Sequence, residues 1–191
     1  SKRLPGKVLL KLNSSPLLMY QYNRVNKSKL ISKIIIATSS KEIDNPIVDF
    51  CINNDINYFR GDENDVLSRY YECAIKYKAT IVVRITADCP LIDPTVIDNV
   101  INKFIFDRVD YCANTAPPQT STFPDGSDVE VFSMKALSNA NSSITDKHYR
   151  EHVTFQFWKD SNYASSQLRL ERNYSAYRYT VDYEEDVAVI K

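Results

Sequence analysis

Between residues 16 and 114, short β-branched runs alternate with segments of helical spacing, and few architectures accept that order. Lys33-Ile34-Ile35-Ile36-Ala37-Thr38 has no polar/apolar alternation and reads as a fully buried strand. Thr80-Ile81-Val82-Val83-Arg84-Ile85 repeats the type, and residues 56–59 and 111–114 read as shorter strands. Residues 16–28, 46–53 and 65–77 have helical spacing; the third places Val66, Leu67, Tyr70, Tyr71, Ala74 and Ile75 on one side. Asp93-Pro94 opens a further helix through Val96, Ile97, Val100, Ile101 and Phe104. Such a chain folds as α/β, with a mostly parallel central sheet flanked by helices. Ligands bind such sheets at the carboxyl ends of strands.

Beyond Thr115 the character changes. Residues 116–124 are rich in Pro, Ser and Thr and read as a flexible connection. Residues 123–132 read as a turn entering an alternating strand, 145–158 as a helix, and 174–181 as the last strand. No internal repeat and no clean boundary appears. Residues 1–191 therefore read as a single domain, with 116–175 as a substrate-binding insertion or subdomain. Lys plus Arg equals Asp plus Glu at 24 each, which argues against a nucleic-acid or membrane-surface binder but leaves room for a local cationic pocket. Cys51, Cys73, Cys89 and Cys112 show neither CxxC nor zinc spacing, so they read as free thiols of a cytoplasmic protein. No apolar run approaches the ~20 residues a membrane span needs, and no signal peptide is visible. The lack of an initiator Met, of a strand before the first loop, and of a full final helix at 184–191 gives the expectation that both ends are incomplete.

The chemistry-bearing residues lie in loops. Ser1-Lys2-Arg3-Leu4-Pro5-Gly6-Lys7 is a glycine loop with fixed cations, suited to the oxygens of a nucleoside triphosphate. Two isolated acids, Asp88 in Thr86-Ala87-Asp88-Cys89-Pro90-Leu91 and Asp182 in Thr180-Val181-Asp182, each follow a β-rich run. A metal on those phosphates would need acids there. By position alone Asp88 equally starts a turn before Pro90, and Asp182 equally caps the following helix. Asp125-x-x-Asp128-x-Glu130 fits either a cation site or turn chemistry. Arg150 and His152 lie two apart, so on a regular helix they diverge by about 200° and cannot face one pocket.

In order and spacing, these segments together with Ile36-Ala37-Thr38-Ser39 and Thr180-Val181-Asp182-x-Glu184-x-Asp186 resemble the cytidylyltransferases that make CMP-activated acidic sugars. The branch of the spore-coat polysaccharide protein SpsF is the better match; the 3-deoxy-manno-octulosonate and acylneuraminate enzymes are more distant. The resemblance implies a Rossmann-like, GT-A-like nucleotidyltransferase fold. It implies that CTP and an acceptor give a CMP-linked product and pyrophosphate, with Mg²⁺ as cofactor. Arg3, Lys7 and Asp88 would be catalytic, and Asp88 and Asp182 would hold Mg²⁺. Ser1, Arg3, Gly6, Lys7, Ser68, Arg69, Thr86 and Ala87 would contact the nucleotide. Asp125, Asp128, Glu130, Arg150, His152 and Arg178 would face a small polar sugar or phosphate acceptor. For His152 a structural role fits as well, as does an acid partner for Arg178. The resemblance also implies a homodimer, with 116–175 as the dimerisation subdomain. Two rival readings are a nucleotide-sugar-dependent glycosyltransferase and a non-catalytic nucleotide-binding module. Against the first, Asp88-Cys89-Pro90 is not the Asp-x-Asp acid pair such enzymes present after a strand.

Overall fold

The computed structural model describes residues 4–190. The expectations at Ser1 and Arg3 lie outside the described residues. A short hairpin, β1 (Lys11–Leu12) and β2 (Ser15–Pro16), leads into α1 (Leu17–Val25), for which Pro16 takes the cap position. Next come β3 (Ile36–Ser39), α2 (Asn45–Asn53), β4 (Tyr58–Gly61), α3 (Val66–Lys76) and β5 (Ile81–Arg84). Then follow α4 (Pro94–Asp107), β6 (Tyr111–Ala113), β7 (Glu130–Ser133) and α5 (Met134–Ser143). The chain closes with α6 (Lys147–His152), α7 (Phe155–Lys159), β8 (Ser165–Gln167) and α8 (Glu184–Ile190). Helix starts follow cap chemistry. Asp65 accepts from Ser68 N at the head of α3, and Asp93 accepts from Thr95 N ahead of Pro94 in α4.

Strands and helices alternate as expected, but the sheet is mixed. β3 and β4 pair in parallel. Among the described residues a four-stranded sheet runs in the order β5-β7-β6-β8, with β7 antiparallel to both neighbours and β6 parallel to β8. β7 returns from the 114–129 connection in reverse and inserts between β5 and β6, a direction that hydrophobic pattern alone does not encode. Side chains alternate across this sheet. Tyr111, Ala113 and Phe132 join Leu67, Ala74, Leu137 and Phe157 on one side, while Cys112 and Val131 join Ile97, Val100 and Phe104 on the other. β7 and α5, both from the 116–175 stretch, lie inside this core.

A smaller third cluster, Leu4, Leu12, Leu17, Val181 and Val187, gathers the N-terminal turn, α1, the segment before Asp182 and α8. Burial of such side chains contributes roughly 1.5–3 kcal/mol each. That packing brings the two ends of the chain together.

Four expectations need correction. The 33–38 run is only half-buried at Ile34–Ala37, since β4 is the one strand paired with β3 among the described residues. The 116–124 connection is anchored: Thr122 and Phe123 are buried, and Thr122 accepts from Leu170 N and Tyr174 N. The 145–158 helix breaks at Val153, which sits at φ 59° and is fully buried, with Thr154 N bonded to His152 O. A β-branched residue at positive φ is an outlier that only tertiary packing sustains. Residues 174–181 form no ladder. Their backbone groups go to Thr122, Asp125 and Asp88 in turn, with one isolated bridge at Asp125 and Arg178. All four cysteines are buried free thiols, and no described helix is long and apolar enough to cross a membrane.

Gly126 shows why the 174–182 strap can lie so close. It adopts φ 98°, and a Cβ there would stand 2.6 Å from Thr180 N and Tyr179 C. Both obstacles are backbone. Gly126→Ala is expected to destabilise the fold by about 2–4 kcal/mol, read as a urea midpoint shift at unchanged m. A loss below about 0.5 kcal/mol would mean that the strap is not packed against this turn.

Candidate active site

Gly6, at φ 69°, turns the chain into a 3-10 turn at Lys7–Leu9, a conformation that costs a side-chain-bearing residue energy. The turn sends the Lys7 side chain inward to only 11% exposure. Its Nζ donates to Asp182 Oδ1 at 2.9 Å, to Val181 O at 2.8 Å and to Asp88 Oδ2 at 3.3 Å. One ammonium thus joins residues 81 and 175 positions away. Asp88 lies just past β5, and Val181 N donates to its carbonyl at 2.9 Å. Burial pushes the Asp88 carboxyl up, but a hydrogen bond from Thr86 and the Lys7 charge outweigh it and hold it below the ordinary carboxylate range.

Asp182 is buried, and its other oxygen accepts from Arg178 at 3.0 Å. At the head of α8, Asp186 accepts from the backbone N–H groups of Asp182 and Tyr183, the reach-back half of a capping box. Arg178 also meets Asp125 at 3.3 Å and Asp186 at 2.5 Å. Slight burial raises Asp186, but Arg178 and the two N–H groups prevail and bring it to about 2 from an ordinary 3.8. A depressed carboxylate stabilises the fold above its unfolded value and ceases to do so as pH falls through its folded value. The contribution of Asp186 is therefore complete above about pH 4 and disappears towards pH 2. Arg178→Ala is expected to return Asp186 towards 3.8 in an NMR titration. An unmoved titration would show that the backbone N–H groups alone hold it.

Asp128 reaches this centre through Cys89. The Cys89 thiol lies 3.6 Å from Asp88 Oδ1 and 3.9 Å from Asp128 Oδ2. Burial and the two carboxylates raise it well above the ordinary thiol range, so it stays protonated. Burial also raises Asp128, although Thr115 Oγ1 and Gly126 N both donate to it at 2.7 Å.

The other expected residues stand apart. Ser68 N donates to the capping Asp65, Ser68 Oγ donates to Glu72, and Arg69 donates to Asp62 O. Arg69 lies near Asp44, which accepts from Thr38 and Ser39 at the carboxyl end of β3. This is a second polar group, at a strand's carboxyl end, and the sequence reading missed Asp44. Glu130 is buried in an ion pair with Arg84, its cross-strand partner, and accepts from Tyr111 OH at 2.6 Å. Arg150, expected to face the acceptor, has its donors engaged within the protein. It donates to Asp65, Asn141 and Ile144 O, which ties α3, α5 and α6 together. His152 turns the other way, as the spacing requires, and stacks on Phe155 at 4.6 Å. Burial and His148 lower its pKa, so its ring is neutral at pH 7. A cavity of about 600 Å³ between α5, α6 and α7, lined by Asn139, Tyr149 and Asn162 among others, includes none of the Lys7 cluster.

Sequence reading also missed Gln21. It is buried on α1, and its Nε2 donates to Thr86 O at 2.6 Å and Cys89 O at 3.1 Å. A lone Gln among Leu17, Leu18 and Val25 on a buried helix face was the available signal.

Two buried-side carboxylates already share a cation at Lys7. Hard oxygen donors of this kind suit Mg²⁺, which uses few protein ligands. Among the described residues no cluster of three His, Cys, Asp or Glu offers an all-protein cage.

Comparison with known proteins gives the family. A cytidylyltransferase family model matches residues 1–188. MJ1063 of Methanocaldococcus jannaschii is 38% identical over 162 residues, covering 85% of this chain and 64% of that protein. Spore coat polysaccharide biosynthesis protein SpsF of Bacillus subtilis is 32% identical over 199 residues, covering 100% of this chain and 80% of SpsF. A solved cytidylyltransferase from Leptospira borgpetersenii superposes with a TM-score of 0.93 at 30% identity, covering 100% of this chain and 80% of that one. The chain thus spans less than two-thirds of MJ1063 and four-fifths of the other two. On a family match that runs through both ends of the Lys7–Asp182 contact, the chain belongs to the cytidylyltransferase family of nucleotidyltransferases.

Proposed function

We propose that this protein transfers CMP from CTP to a sugar acceptor and releases pyrophosphate, with Mg²⁺ as cofactor, in the making of a surface glycan. The convergence of Lys7, Asp88 and Asp182 carries the reading. In the reaction an acceptor oxygen attacks the α-phosphorus, a new P–O bond forms, and the bond to the bridging oxygen breaks. The acceptor proton leaves to solvent or a nearby base, and pyrophosphate carries the electron pair. Such a step needs charge stabilisation more than covalent help.

Lys7 supplies positive charge where pyrophosphate develops. Asp88 and Asp182 would hold Mg²⁺, which when bound polarises the α-phosphate and orients in-line displacement. The strap hydrogen bond to Asp88 O fixes that carboxylate, and Arg178 fixes the other. Asp128, which Cys89 approaches, and Asp125, which meets Arg178, would read acceptor hydroxyls. The Thr38–Asp44–Arg69 group lies at the end of β3 and suits the nucleoside. The same reading includes a cytoplasmic setting, where CTP is made. It also includes a homodimer through the 116–175 region, which light scattering would test.

Calorimetric titration with CTP, UTP, GTP and ATP, with and without Mg²⁺, decides the nucleotide. Selective, Mg²⁺-strengthened CTP binding supports the proposal and justifies an acceptor screen by pyrophosphate release. Preference for another triphosphate discards the CMP product. Absence of binding to all four overturns the enzyme reading.

A further inference from the structure

We propose that Gln21 is a positioning residue whose amide sets Asp88 against Lys7; the inference rests on the reading of these two residues as the reaction centre. The argument begins with an anomaly on α1. Its buried side carries Leu17, Leu18 and Val25, and Gln21 stands among them at 6% exposure. A primary amide in such a place destabilises the fold unless its donors are satisfied, and a leucine would suit the face better. Both amide N–H groups are used. The acceptors are Thr86 O at 2.6 Å and Cys89 O at 3.1 Å, the carbonyls that bracket Asp88 in sequence. This pairing orients the amide, since only its nitrogen donates.

The bracket does more than fill a gap. Thr86 O also accepts from Cys89 N, and Cys89 O from Ile92 N, so Gln21 closes consecutive turns that carry Asp88. Arg24, three residues further along α1, donates to Ile92 O at 2.7 Å. At the other end of α1, Leu17 N bonds to Leu10 O, and Leu10 N to Lys7 O. α1 is therefore a rigid link between the loop of Lys7 and the loop of Asp88. The 3.3 Å contact between those side chains depends on that link and on the strap at Val181.

Gln21→Met removes both donors at nearly constant volume. Hydrogen exchange of residues 86–92 is expected to rise about tenfold or more, while β5 and α4 keep wild-type protection. With the acceptor found in the screen, kcat is expected to fall about 10–100-fold while KM for CTP stays within about threefold, as for groups that orient others. Gln21→Asn keeps an amide but ends one methylene short of both carbonyls, and should behave like Gln21→Met. Arg24→Met loses a hydrogen bond from the same helix, but at Ile92. It should loosen that position and leave kcat within about threefold.

Unchanged exchange at 86–92 in Gln21→Met, or equal kcat losses in the Gln21 and Arg24 variants, would overturn the proposal. So would a uniform rise in exchange across the sheet, which would make Gln21 a stability residue. A wild-type protein that releases no pyrophosphate sinks the functional reading, and the exchange comparison then judges the bracket by itself.

Discussion

Asp88→Asn is expected to lower kcat by about 10³-fold, or ~4 kcal/mol of transition-state stabilisation, while the protein stays folded. The asparagine keeps the shape and one oxygen for Lys7 but loses the charge that a divalent cation requires. Asp182 still pairs with the ammonium at 2.9 Å, so the loop is not left unanchored. Dependence of CTP binding on Mg²⁺ should weaken in the same variant, and binding without Mg²⁺ should change little. A kcat loss below about tenfold, measured as pyrophosphate release, would remove Asp88 from the reaction centre.

Lys7→Met is expected to act on both stability and turnover. Asp88, Asp182 and Val181 O would lose their shared donor, leaving two carboxylates in a site that is mostly closed. Breaking a pair of this kind from one side costs about 3 kcal/mol, or a melting temperature lower by about 2–4 °C for each kcal/mol. The loss of leaving-group stabilisation should cost a further 10²–10³-fold, roughly, in kcat. The variant also makes a prediction of opposite sign. With no ammonium between the carboxylates, Mg²⁺ or Mn²⁺ alone should raise its melting temperature more than that of the wild type. Equal shifts in both proteins would show that the two carboxylates do not form the cation site.

The elements most legible in the sequence are those set by local chemistry. Asp93-Pro94 and Asp65 mark helix starts because an acceptor side chain and a fixed φ act within one turn. α3 is legible because its apolar residues recur at helical spacing. The break at Val153 is not, since nothing local favours positive φ at a β-branched residue. Nor is the strap at 174–181. Its composition suits a strand, but its hydrogen bonds go to three separate segments.

The site divides in the same way. Lys7, Asp88 and Asp182 could be singled out by residue type and by their position after a glycine or a β-rich run. For Arg150 the resemblance alone implies an acceptor contact, and its donors go to Asp65, Asn141 and Ile144 O, partners that only folding brings within reach. Gln21 and Asp44 escaped notice because their roles consist of contacts with distant backbone and hydroxyl groups.

The α/β alternation, the helix caps and the supply of charged residues in the loops are written in the local sequence. These depend on spacing and on side-chain chemistry within a few positions. The reversed insertion of β7, the packing of Leu4 and Leu17 on Val181, and hence the approach of Lys7 to Asp182, arise only in the folded chain. Long-range packing and shared hydrogen bonds select those features, and neither has a local signature.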